Sequence, residues 1–201
     1  MLRTVEAYLE RLPHGVDSYP GAHTKSGVVR AAIPAARLLP AVPAAEVPAR
    51  VFELIANPPM VMTWVRAVHF SAAMCAAFER CFQESGGMPA FDQWILDANR
   101  KLLQSPLYRI LFLVTVPDRV FIGIERRWGA FHRGSELRVV DRTEKSARLE
   151  LSFPGHLFPV YVLRAFGAAF QAAAEAVGYR DVKVDLLADA PTVALYTVTW
   201  A

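Results

Sequence analysis

The sequence predicts an α+β domain in which an N-terminal helical half packs on a small, mainly antiparallel sheet. Three observations carry this. Apolar residues recur at helical spacing from about residue 46 to 132, then switch to alternation. The alternating runs come in two pairs, joined by the short polar segments "EKS" and "DAP", which is the spacing of β-hairpins. One long apolar stretch, residues 157–177, separates the pairs, so residues 135–200 read ββαββ. The 201 residues suffice for a single core. Hydrophobic residues make up 54% of them, above the roughly 45–50% of soluble domains, so some apolar surface is left for a ligand or a partner.

The elements follow in chain order. Residues 1–45 read as a proline-rich arm packed on the body, and residues 46–201 as the single α+β domain. Pro34, Pro40, Pro43 and Pro48 prevent a long helix at the end of the arm, which leaves one short helix near 25–33. His14 and His23, on the arm, read as polar surface. A helix over about 46–56 stops at "NPP". The next spans about 59–84, with Trp64, Val68, Ser71, Cys75, Phe78 and Phe82 on one face. His69 falls on the other side with Arg66, Ala73 and Arg80, a solvated or interface position. Cys75 and Cys81 point roughly 120° apart on this helix, so they are free thiols and neither a disulfide nor a metal pair. A third helix covers 89–104. "SPLYRILFLV" opens another, with Ser105 as N-cap and Pro106 at the first helical position. Pro117 opens the last helix before the sheet. Val120, Phe121, Ile124, Trp128 and Phe131 share one arc of it, and His132 lies in its final turn, either as a cation near the negative end of the dipole or as a site histidine. Gly134 is placed to close that helix as a C′ glycine.

Helix 157–177 is the most informative element. Its strongly polar residues, Arg164, Gln171 and Glu175, form one narrow stripe, and the rest is apolar. Such a helix is covered on most sides: by the sheet, by the helical half, and by a ligand or a second subunit. The residues expected to line an apolar pocket are Trp64 and Phe78 from the helical half and Phe166 and Phe170 from this helix. Arg119, Arg126 and Arg133 recur every seven residues. They mark either a stripe for an anion or acidic partner or a solvated helix face.

No nucleotide, phosphate, zinc-protease, dithiol or nucleophile-elbow motif occurs, and no carboxylate pair is apparent. No catalytic residue, metal ligand or cofactor is therefore assigned. The net charge is +3 with four lysines, and no basic run with interleaved aromatics points to nucleic acid. The most apolar run, "LYRILFLVTVPDRVFIGI", is broken by Arg109, Pro117, Asp118 and Arg119, so no transmembrane segment is expected. The first residues, with Glu6 and Glu10 and no apolar h-region, are not a signal peptide. The expectation is a cytoplasmic protein.

The segments "RWGAFHRGSELRVV", "ARLELSFPGHLF", "LRAFGAAFQAAAEAVGYRDVKVDLL" and "LYTVTW" resemble a paralogous family of myxobacterial proteins of similar length. The likeness extends through "LPHGVDSYPG" and "SPLYRILF", and so over most of the chain. More distantly, the C-terminal half resembles the 4-vinyl-reductase and haem nitric-oxide-binding superfamily, which includes subunits of vesicle-tethering complexes. That resemblance implies helices followed by an antiparallel sheet with a crossing helix. It also implies binding of small molecules, acyl chains or other proteins. Two family features are missing. The final hairpin, "LLADAPTVALYTVTW", has no cysteine. "LELSFPGHLF" keeps Ser152 but lacks the Tyr and Arg of the haem branch's Tyr-x-Ser-x-Arg signature. The resemblance therefore implies neither haem nor a vinyl-reductase cysteine site. The resulting expectation is a non-catalytic ligand-binding or sensory domain with an apolar pocket beside helix 157–177. The alternatives are a homodimeric interaction protein using the same apolar surface and, third, an enzyme of unfamiliar type.

Overall fold

The structure, a computed structural model, describes residues 1–33, 38, 40–105 and 123–201. It is an α+β fold with helices α1 (Arg3–Glu10), α2 (Ser26–Ala32), α3 (Ala49–Ala56), α4 (Ala67–Cys81), α5 (Gly87–Gln104), α6 (Ile124–Phe131) and α7 (Val160–Ala176). Strands β1 (His23–Lys25), β2 (Trp64–Arg66) and β3 (His132–Arg133) form a small antiparallel sheet in the order β2-β1-β3. Strands β4 (Glu136–Arg142), β5 (Ser146–Ser152), β6 (Lys183–Asp189) and β7 (Val193–Thr199) form a larger one, β4-β5-β7-β6, also antiparallel. Among the described residues no helix is long and apolar enough to cross a membrane.

The C-terminal half follows its sequence pattern. Alternate residues Ala147, Leu149 and Leu151 on β5, and Ala194, Tyr196 and Val198 on β7, are buried, because successive side chains on a strand point to opposite faces. Helix α7 crosses this face, and Tyr196 pins it by donating its hydroxyl to the Leu163 carbonyl at 2.9 Å. The polar stripe of α7 turns toward α5: Arg164 pairs with Asp92, and Glu175 takes a two-pronged bond from Arg100, both contacts 2.8 Å. Exposed Val140 and Leu187 sit at register shifts in β4 and β6. These are the two edge strands, where bulges discourage pairing with another chain.

The N-terminal half departs from expectation in four places. Residues 3–10 are helical, with Val5, Tyr8 and Leu9 buried, at the i, i+3, i+4 spacing of one face. Leu2 offers this helix no side-chain cap. Instead the Glu79 carboxylate on α4 accepts the Arg3 and Thr4 amides at 3.3 and 2.8 Å. Second, Trp64 is on β2, and α4 begins only at Ala67, so Trp64 does not share a helix face with Phe78. Third, α4 is buried continuously from Ala67 to Phe78, because α1, α3 and α7 all pack on it. His69 is therefore buried rather than solvated, and its Nε2 meets no hydrogen-bond partner among the described residues.

The fourth departure is at "FHRG". Helix α6 ends at Phe131, and His132 is already extended, with φ −133° and ψ 142°. Gly134, at φ +74°, turns the chain from β3 into β4 instead of closing the helix. A Cβ there would lie 3.0 Å from the Ala22 Cα. Arg126 is exposed on α6 and Arg133 on β3, so these two share no helix, while Arg119 lies outside the described residues. The helix expected from "SPLYRILFLV" and the start of the one opened by Pro117 also lie outside them. Ser105 itself donates its hydroxyl to the Leu102 carbonyl at the end of α5, at 2.7 Å.

Candidate functional site: an apolar cavity between the two halves

Strand alternation fixes the site. In β3, Arg133 points outward and His132 inward. The buried imidazole stacks on Trp128, with ring centroids 3.9 Å apart and planes at 21°. Its Nδ1 lies 3.3 Å from the Thr24 hydroxyl of β1. Trp128 is held in turn by donating Nε1–H to the Ser135 hydroxyl at 3.1 Å. Phe166 of α7 meets both rings edge-on, each at 5.0 Å. Enclosure in aromatic rings leaves a charged imidazole without solvation, and burial pushes the His132 pKa down to about 3. The ring is a neutral polar group at any ordinary pH.

Beside it lies a cavity of about 130 Å³. Helix α7 supplies Ala165, Phe166, Ala169, Phe170 and Ala173. Helix α5 supplies Asn99, Leu102 and Leu103, and α6 supplies Ile124, Arg127, Trp128 and Phe131. Val28 and Ala32 of α2, Phe70 of α4 and Leu137 of β4 complete the wall with His132. The hollow exists because α7 carries alanine at 165, 169 and 173, one step of four after another along the same face. Its polar side chains are few. Asn99 donates its amide back to the Ile95 carbonyl at 2.9 Å. Arg127 is half-buried, and desolvation lowers its guanidinium pKa.

Phe166 and Phe170 lie on the wall of this cavity. Phe78 instead packs in an aromatic cluster, stacked on Tyr161 at 4.4 Å and edge-on to Phe91 at 5.8 Å. Trp64 sits on the outer face of the small sheet. Sequence reasoning missed His132 as a wall residue because it extended α6 through it. It also missed Ala165, Ala169 and Ala173, although their spacing was a readable signal: small residues repeated on one face of an otherwise bulky helix leave room. Among the described residues no cluster of three or more His, Cys, Asp or Glu side chains is placed to hold a metal ion. The two cysteines are buried and free.

No protein-family model and no curated protein matches the chain. Solved structures do match it in fold. An H-NOX mutant, Cs H-NOX, carrying the unnatural amino acid 4-cyano-L-phenylalanine superposes with a TM-score of 0.52 at 9% identity, covering 88% of this chain and 96% of that one. A structure from a study of haem distortion in the H-NOX family gives 0.54 at 5% identity, covering 88% and 92%. An Fe(II) unliganded alanine-to-glycine H-NOX mutant from K. algicida gives 0.50 at 10% identity, covering 87% and 96%. In architecture, though hardly at all in sequence, this chain has the fold of the H-NOX proteins.

Proposed function

We propose that the chain is a non-catalytic sensory domain that binds a small apolar molecule in the cavity between α7 and helices α5 and α6. The observation that carries this reading is the cavity itself: apolar on nearly every wall and close in size to one aromatic ring. An engineered cavity of about 150 Å³ lined by aliphatic and aromatic side chains stays dry and takes benzene or xenon. Here about 130 Å³ is bounded by five helices and two strands drawn from both halves of the chain. Filling it changes how those halves pack, which is what a sensor requires. The neutral imidazole of His132 supplies one polar contact, enough to orient a ligand bearing a single donor or acceptor.

A haem, the group named with one of the structural neighbours, does not fit this cavity. Sites for even drug-sized ligands occupy roughly 300–1,000 Å³. One face of the His132 ring is covered by Trp128, and Phe166 packs nearly perpendicular to it at 5.0 Å. The purified protein is expected to show no Soret band.

The test is a thermal melt with benzene or indole, together with native mass spectrometry, which also reports subunit number. A ligand at about 100 times its Kd stabilises a protein by about 2.7 kcal/mol, a readily measured shift. Ala169→Phe places a ring in the hollow and should abolish the shift while leaving a folded protein. If neither compound moves the melt of the parent, or if both still move that of Ala169→Phe, the cavity is not a ligand site.

A further inference from the structure

A second surface stands on the outer face of the small sheet and depends on neither the cavity nor its ligand. The alternation that buries Thr24, Val65 and His132 turns Lys25, Trp64, Arg66 and Arg133 outward. Lys25 Nζ lies 3.9 Å from the centroid of the Trp64 ring, and the Arg133 guanidinium 4.0 Å from it. Just before β2, Met60, Val61 and Met62 stand in water, 83%, 36% and 63% exposed.

This apolar run is not a loose loop. Arg30 donates to the Pro58 carbonyl at 2.8 Å and the Ser26 hydroxyl to that of Pro59 at 2.7 Å. The Gly27 amide reaches the Val61 carbonyl at 2.9 Å, and Lys25 reaches that of Met62 at 2.9 Å. Thr63 closes the turn on the Met60 carbonyl at 2.9 Å. The backbone is tied to β1 and α2, so the methionine side chains are held out in solvent. Burying them would release that apolar surface from water with little further cost in loop ordering. The surroundings are cationic. Asp17 pairs with Arg50 at 3.2 Å and with Arg66 at 3.8 Å. Lys25, Arg30 and Arg133 have no carboxylate within ion-pair distance among the described residues.

We infer that this face docks on an anionic lipid bilayer, with Met60 and Met62 entering the headgroup boundary and the basic side chains meeting the lipid charge. Charge complementarity and size favour a bilayer over a protein. A standard protein interface uses roughly 20–30 residues a side, whereas here three apolar side chains stand among cations. A bilayer accepts a small apolar insertion of this kind, and each Lys or Arg near an anionic surface adds to the binding. Indole rings favour the same water–lipid boundary, where Trp64 would lie.

Sedimentation of the full chain with vesicles tests the inference. Binding is expected to phosphatidylcholine vesicles containing phosphatidylserine, to weaken with salt, and to be much weaker on phosphatidylcholine alone. The Met60→Ser/Met62→Ser double variant and Arg133→Glu should each lower partition by about tenfold or more. Both keep exposed positions exposed, and an unchanged melting temperature verifies that each is folded. No binding to the mixed vesicles overturns the inference. So does binding that Arg133→Glu abolishes and the methionine variant leaves unchanged, because that pattern is adsorption by charge alone, with no methionine entering the headgroup boundary.

Discussion

Replacing His132 with phenylalanine removes a titrating ring from the cavity wall while leaving a flat ring to stack on Trp128. The folded-state pKa of His132 is about 3, against about 6.5 for an unperturbed imidazole. As pH falls, the unfolded chain therefore takes up the proton first. Stability is full above about pH 6.5, declines below it and levels off only near pH 3. Between pH 8 and pH 5.5 this linkage removes about 1.4 kcal/mol from the parent and nothing from His132→Phe. At pH 8 the variant should be the less stable by about 1–3 kcal/mol, because the Thr24 hydroxyl loses its buried partner. At pH 5.5 that gap should shrink by about 1.4 kcal/mol. His69, also held below its ordinary pKa by burial and then by Arg66 and Arg50, is present in both proteins and cancels. Urea unfolding of each protein at the two pH values measures the gap. A gap that widens at pH 5.5 would mean that the folded protein holds the imidazole charged, as a helix-end histidine would be, and the buried-ring argument fails.

Three further outcomes are expected. Phe166→Ala should cost about 3–5 kcal/mol in a thermal or urea melt, and by enlarging the hollow should make the variant respond to bulkier apolar ligands than the parent does. Gly134→Val should cost about 1–3 kcal/mol for a β-branched residue held at positive φ, more than Gly134→Ala and equally at pH 8 and 5.5. Equal melting temperatures for parent and valine variant would place the turn elsewhere. Glu79→Gln should loosen α1 by about 0.5–1 kcal/mol, visible as faster amide exchange in residues 5–10. Burial raises the Glu79 pKa, but the bonds from Thr4 and Arg3 outweigh it and the net shift is downward. The contribution is thus present above the ordinary carboxylate pKa and lost as pH falls through the lowered one, so parent and variant should converge in acid.

Where a pattern repeats along the chain, the sequence determined the outcome. Alternating burial over seven residues defines β5 and β7, shorter alternation up to a register shift marks β4 and β6, and seventeen residues of helical apolar spacing define α7 with Phe166 and Phe170 on its buried side. Those signals are local and redundant, so one polar residue out of phase does not hide them. The small sheet is different. Strands of two or three residues contain too little alternation to be seen, and they exist because Thr24 pairs with Val65 on one side and His132 on the other. Tertiary structure likewise decided that α1 forms, since its amides are capped from α4, and that His69 is buried, since α4 is covered on more than one face. The same holds for the cavity. The sequence placed the two phenylalanines beside a hollow, but His132 enters the wall because a strand partner 108 residues away stops α6 one residue early. A helix end is marginal in energy, and a few backbone bonds to a distant strand are enough to move it and turn a side chain from solvent to core.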